Sequence, residues 1–173
     1  GTGTDHASFD LVTKEVSKVG DIFGVPDKAR TLNDELTGQV KDLTSQASKD
    51  SRHSAAALWV EAGSSGFYTY GTSSMVQPIL EANGLRNVYD GEKKRVFDAT
   101  MEDVLNRDPE WIVLLAQEGD IAKTKPAFLK YKGASQLQAV KKNQIVVIPF
   151  SLTDPPTPQS IKGAVELNKL LKK

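Results

Sequence analysis

Trp111-Ile112-Val113-Leu114-Leu115-Ala116 is an uninterrupted apolar run, introduced by Asp108-Pro109-Glu110 and closed by the polar Gln117-Glu118. Too short for a helix and apolar at both parities, it reads as a strand buried on both faces, which is how the strands of a parallel sheet look. The same reading places strands at residues 55–61, 87–89 and 144–149. Helical signals fall between them. Residues 74–83 carry Met75, Val76, Ile79 and Leu80 on one side and stop at Gly84, with Pro78 tolerated in the first turn. Thr100, three residues before Asp103 and just ahead of Val104 and Leu105, resembles a capping box, and Asp108-Pro109 ends that helix. Shorter helical stretches at 125–131 and 135–141 lead to the last strand, and Pro158 opens a final helix with Ile161, Ala164, Val165, Leu167 and Leu171 as its apolar positions. Alternating strands and helices imply an α/β three-layer sandwich around a mostly parallel sheet of four strands or slightly more. Ligands of such sheets bind beyond the carboxyl ends of the strands, here the loops 62–73, 90–99, 117–124 and 151–157.

Upstream the pattern is helical. Phe9, Val12, Val16, Val19 and Phe23 recur at three- and four-residue steps, with Ser8 as the expected N-cap. Gly24 occupies the left-handed position at the helix end, and Pro26 starts a second helix with Leu32, Leu36, Val40 and Leu43 on its apolar face. The polar residues 44–54 end it. The chain is 173 residues long, enough for one α/β domain, and its 22 basic residues cancel its 22 acidic ones. No net field draws it to nucleic acid or an anionic membrane surface, so nucleic acid is not an expected partner. With no cysteine and two histidines it offers no disulfide framework, thiolate site or evident metal cage, and no cofactor is expected. No apolar run is long enough to cross a bilayer and no charged-then-apolar leader opens the sequence.

Several segments, in this order and spacing, resemble the helix-linked class of ABC transporter substrate-binding proteins, the siderophore, haem and vitamin B12 family. They are Ile22-Phe23-Gly24, the Pro26-Asp27-Lys28-Ala29 restart, the strand Ala57-Leu58-Trp59-Val60-Glu61 and the loop Gly66-Phe67-Tyr68-Thr69-Tyr70-Gly71. The run Ile79-Leu80-Glu81-Ala82-Asn83-Gly84-Leu85-Arg86-Asn87-Val88-Tyr89 and Asp108-Pro109-Glu110-Trp111-Ile112-Val113-Leu114 complete the set. Family members have two Rossmann-like lobes joined by a long helix. The resemblance therefore implies that residues 1–24 are the interlobe connecting helix and 25–173 the C-terminal lobe, with the N-terminal lobe absent. It further implies an extracytoplasmic protein, periplasmic or a cell-surface lipoprotein, held to a membrane only through an anchor outside this chain. Such a protein hands a ferric siderophore, haem or cobalamin to an ABC importer. Glu81 matches the position at which relatives carry a carboxylate that docks on arginines of the permease; without the resemblance it is a solvated helix glutamate.

For the ligand wall the sequence offers Phe67, Tyr68 and Tyr70, an aromatic trio in a glycine-flanked crevice loop, with Tyr68 the first choice; the plainer reading packs one or two of them inward. Lys93, Lys94, Arg95 and Phe97 lie in the loop after the second strand, where Arg95 and Phe97 are ligand candidates and a solvated basic surface is the alternative. Asp154 either meets ligand or helps a turn and the cap of the final helix. Trp59 and Trp111 read as core packing, His6 and His53 as surface histidines. Enzyme motifs are missing their key members. Gly63-Ser64-Ser65-Gly66 lacks nucleophile-elbow spacing and Gly71-Thr72-Ser73-Ser74 lacks the phosphate-loop lysine. The expectation is a binding module without catalysis. Its rivals are a flavodoxin-like enzyme domain with its site at the strand ends, and an interaction domain without ligand.

Overall fold

The computed structural model describes residues 4–47, 52–61, 64 and 66–173. Helix α1 (Asp10–Ile22) and helix α2 (Pro26–Gln46) form an antiparallel hairpin whose turn is Gly24 at φ 68°, with Pro26 at the first position of α2. No side chain caps α1, and the residue that precedes it is Phe9 rather than Ser8. The hairpin rests on the body through Val12 and Leu36, which are buried with Ala7, Met75 and Ile161. Beyond that contact its apolar stripe runs into solvent. Val19, Ile22 and Phe23 are 48%, 69% and 75% exposed, and Val25 and Leu32 are also open.

The sheet follows. Its strands are β1 (His53–Val60), β2 (Gly66–Tyr70), β3 (Leu85–Asn87), β4 (Val96–Thr100), β5 (Trp111–Ala116) and β6 (Ile145–Pro149). Their order is β4-β2-β1-β5-β6, with β3 pairing the first half of β1 on the flank that β2 takes in the second half. Pairing is parallel for β1 with β3 and β5 and for β5 with β6, while β2 runs antiparallel to both β1 and β4. The mostly parallel α/β architecture is as the sequence implies.

Two details differ. Residues 66–70 and 96–100 form strands where the sequence reading placed crevice loops, and the strand expected at 87–89 lies at Leu85–Asn87. The alternation Phe67-Tyr68-Thr69-Tyr70 is itself a half-buried strand pattern, in residue types that favour sheets. Its flanking glycines conceal it.

Successive residues of a strand point to opposite faces, and each face has its own core. One holds Ala55, Ala57, Val113, Leu115, Val146 and Ile148 against Leu43 of α2, Ile79 and Leu80 of α3 (Val76–Ala82) and Ala164 and Leu167 of α7 (Pro158–Leu171). The other packs Ala56, Leu58, Ile112, Leu114 and Ile145 against α4 (Met101–Arg107), α5 (Ile121–Leu129) and α6 (Gln138–Lys141) through Val104, Phe128 and Ala139. Helix α4 has the cap and the end that the sequence marks, whereas α5 starts at Ile121 rather than at 125 and α6 at Gln138 rather than at 135. Thr100 accepts from the Asp103 amide at 3.2 Å, Asp108 takes a left-handed φ of 41°, and Thr157 accepts from the Gln159 amide.

Because each face of the sheet is covered by helices from this same chain, the chain is expected to unfold as one unit in urea, with circular dichroism and tryptophan fluorescence giving the same transition. Phe128 has no exposed surface. Truncation to alanine, Phe128→Ala, is expected to lower the unfolding free energy by about 3–5 kcal/mol. A broad transition in which the two probes separate would contradict this account.

Candidate functional site

The carboxyl ends of β1, β5 and β6 open on one side of the molecule, and β2 begins there. Register places Tyr68 directly across from Trp59, and Asp98 of the edge strand across from Tyr68. Side chains opposite each other on neighbouring strands share a face, so Asp98, Tyr68 and Trp59 form a row across the sheet. Phe150, the first residue after β6, closes it, its ring 5.0 Å from Trp59 and edge-on at 75°. Tyr68 is 46% exposed and Trp59 and Phe150 are half-buried, giving a wall of aromatic faces at the strand ends.

The wall is braced from below. Asp154, in the loop after Phe150, accepts from the Met75 amide at 3.1 Å with Oδ1, and from the Ser74 hydroxyl and the Arg95 guanidinium at 3.2 Å each with Oδ2. Ser74 Oγ also accepts from the Val76 amide at 3.1 Å, so Ser74 and Asp154 together satisfy the start of α3. Arg95 reaches Asp154 from the segment that enters β4. That segment is held to the 71–74 turn by Gly71 N donating to Arg95 O at 3.2 Å and Thr72 N donating to Glu92 O at 2.8 Å. The approach is so close that a Cβ on Gly71 would sit 2.2 Å from Lys94 O.

Of the aromatic trio, only Tyr68 is presented to solvent. Phe67 is buried on the opposite face, stacked on Tyr131 at 4.6 Å and tilted against Phe128. Tyr70 shares the face of Tyr68 but lies one row deeper and is 3% exposed. Burial raises the Tyr70 phenol above its ordinary range, the Asp154 charge adds to this, and Arg95 opposes it.

Phe97 also lies on the far face, edge-on to Tyr89 at 5.4 Å. There it lines a hollow of about 560 Å³ with Asp103 and Arg107. In that hollow Tyr89 donates to Asp103 at 2.7 Å beneath the Arg107 guanidinium, and its phenol is raised by burial first and by the Asp103 hydrogen bond second. Asp154 serves the start of α3 rather than the final helix, which Thr157 caps.

The remaining candidates are dispersed. Lys93 pairs with Asp5 at 3.4 Å on the surface and Lys94 is exposed. Glu81, on α3, accepts from Gln77 at 2.6 Å and is bonded to His6 at 2.8 Å; His53 is bonded to Glu110. Trp111 is half-buried against the first core. The stretch 63–66 lies partly outside the described residues. Among the described residues no group of carboxylates and histidines suited to a metal ion occurs, and no helix is long and apolar enough to cross a membrane.

Sequence reasoning missed Trp59 and Phe150 as members of the aromatic wall. The available signal was position, since both stand at the carboxyl ends of strands that the sequence locates well.

An open, mostly parallel sheet with helices on both faces defines an α/β three-layer domain. The Periplasmic binding protein family matches residues 4–152, and the chain belongs to that family. A crystal structure of an ABC-type Fe3+-hydroxamate transport system from Saccharomonospora viridis superposes with a TM-score of 0.89 at 37% identity, over 97% of this chain and 57% of that one. The high-affinity heme uptake system protein IsdE of Staphylococcus aureus is 25% identical over 157 residues, 86% of this chain and 53% of its own length. The periplasmic vitamin B12 binding protein BtuF of Vibrio cholerae shares the fold, with a TM-score of 0.78 at 16% identity over 96% of this chain and 62% of its own. The chain thus spans about half the length of these relatives.

Tyr70 and Tyr89 must stay neutral in the folded state. Their folded pKa values lie above the ordinary one, so the stability they contribute is present below pH ~10 and is lost as pH rises beyond it. The urea midpoint is expected to fall between pH ~10 and higher pH, and Tyr70→Phe to flatten part of that fall. An unchanged slope in Tyr70→Phe would mean its hydroxyl is not held neutral by the fold.

Proposed function

We propose that this chain is one lobe, with its connecting helix, of the solute-binding component of an ABC importer, working outside the cytoplasm, and that its ligand is a ferric siderophore. The single observation that carries the reading is the aromatic row at the strand ends, exposed Tyr68 beside half-buried Trp59 and Phe150, in a chain of this family. Aromatic faces on a rigid sheet suit a large, partly apolar chelate, which they cover without needing a charge match. The 37% identity to the Saccharomonospora protein supports a hydroxamate as the chelating group. The role is read as binding, and Asp154 and Arg95 are already engaged with each other and, for Asp154, with the start of α3.

The wall is half of a cleft. Residues 1–24 are the connecting segment and 25–173 the lobe, a division supported by the apolar stripe that leaves the body. Val16, Val19 and Leu32 line a groove of about 490 Å³ with Pro155, Pro156 and Pro158, and Ile22, Phe23 and Val25 at the end of the hairpin are exposed as well. An apolar groove of this kind is suited to an interface, and a second lobe is the occupant that the relatives' greater length supplies. Glu81, on a separate face, is the carboxylate that meets a cationic group of the permease.

Fluorescence titration of the full-length protein with ferric hydroxamate and catecholate siderophores, haem and cobalamin tests this reading. A ferric hydroxamate is expected to bind most tightly and to quench Trp59. Tyr68→Ala is expected to weaken that binding about tenfold, or ~1.4 kcal/mol, and this chain alone to bind far more weakly than the intact protein. Unchanged affinity in Tyr68→Ala would remove the wall from the site. Replacing the docking charge, Glu81→Lys, is expected to abolish uptake in cells while leaving ligand affinity as it was; normal uptake would take Glu81 out of the docking role.

A further inference from the structure

A glutamate on a surface helix ordinarily samples many rotamers, and a partner that needs one of them must bear the entropy of selecting it. Glu81 differs. Its side chain is 34% exposed, and both of its hydrogen bonds fall on the same oxygen: Gln77 Nε2 donates to Oε1 at 2.6 Å and His6 Nε2 lies 2.8 Å from it. Among the described residues Oε2 accepts nothing. A carboxylate oxygen only accepts, so Nε2 is the protonated nitrogen of His6 in this arrangement.

The two donors are themselves fixed. Gln77 is 4% exposed, and its Oε1 accepts from Asn87 Nδ2 at 3.0 Å. The same Asn87 nitrogen donates to the Tyr70 carbonyl at 2.9 Å, and Asn87 Oδ1 accepts from the Tyr89 amide at 3.0 Å. Glu81 therefore hangs from a buried chain of amides rooted in β2 and β3. His6 comes from the other side, on the segment that precedes α1. That segment is pinned by Ala7 N donating to Thr72 O at 2.7 Å, by the burial of Ala7, and by the Asp5–Lys93 pair.

We propose that Glu81 is a preorganised docking carboxylate, with His6 and Gln77 as its positioning residues, which presents Oε2 to a guanidinium or ammonium group of a protein partner. This rests on the reading of Glu81 as the permease contact and adds to it the residues that aim the carboxylate. With Oε1 engaged by two donors, Oε2 is the oxygen left to accept from a cation, and the arrangement exists before the partner arrives. His6 is the member that can be altered without opening the core, because its own side chain is 57% exposed.

The test uses cells lacking the gene for this protein and carrying the full-length protein as wild type, Glu81→Ala, His6→Ala, His6→Gln or the His6→Ala/Glu81→Ala double variant. Uptake of 55Fe from ferrioxamine B is compared with the affinity of each purified protein for that siderophore and with its thermal midpoint. His6→Ala is expected to lower uptake about three- to fivefold and Glu81→Ala by more, with affinity and midpoint unchanged. His6→Gln, which keeps a donor, is expected to recover most of the loss. The double variant is expected to be no worse than Glu81→Ala alone, because His6 acts only through that carboxylate. Normal uptake by His6→Ala beside impaired uptake by Glu81→Ala would overturn the positioning role and leave docking intact. An additive double variant would also overturn it, since His6 would then act by another route. Normal uptake by Glu81→Ala would overturn the docking reading itself.

Discussion

The Asp154 carboxylate holds the crevice in shape. It is 9% exposed, and a charge so far from water has to be matched by donors. The three that match it come from distant parts of the chain: the Met75 amide, the Ser74 hydroxyl and the Arg95 guanidinium. One group thereby fixes the loop after β6, the start of α3 and the entry to β4. Strand β4 pairs with β2, and β2 carries Tyr68, so this carboxylate links the strand bearing Tyr68 to the loop after Phe150, in addition to the β2-β1-β5-β6 ladder. Removing Asp154 would leave the Met75 amide, the Ser74 hydroxyl and the Arg95 guanidinium without their shared acceptor. The loop after β6, the start of α3 and the entry to β4 are thus tied together at one point.

How much of this the sequence discloses depends on burial. Strands β1, β5 and β6 are covered on both faces, so their apolar runs stand out, and helix ends marked by Pro26, Thr100 and Pro158 follow local rules that do not depend on the rest of the fold. Strands β2 and β4 sit at the sheet margin with mixed composition, and pattern alone does not separate them from an aromatic loop. Strand β3 is displaced from its expected place because the apolar pair Val88-Tyr89 belongs to the core beyond it rather than to the ladder.

The site was harder to read for a related reason. Whether Phe67, Tyr68 or Tyr70 meets solvent follows from strand parity and from depth in the sheet, and neither is defined while the segment is taken as a loop. Once Tyr68 pairs with Trp59, Phe67 has to face Phe128 and Tyr131. Asp154 and Arg95 are 59 positions apart and carry no local signal of their contact. The same holds for Glu81, whose two donors lie 4 and 75 positions away.

The central claim is that the wall of Tyr68, Trp59 and Phe150 is where an iron chelate rests. Iron-edge anomalous scattering from crystals of the full-length protein grown with a ferric hydroxamate tests it most directly. The account predicts one iron peak in front of that wall, with the chelate in van der Waals contact with the Tyr68 and Phe150 rings. An iron peak on the opposite face of the sheet, in the hollow beside Tyr89 and Asp103, with the wall bare, would contradict it.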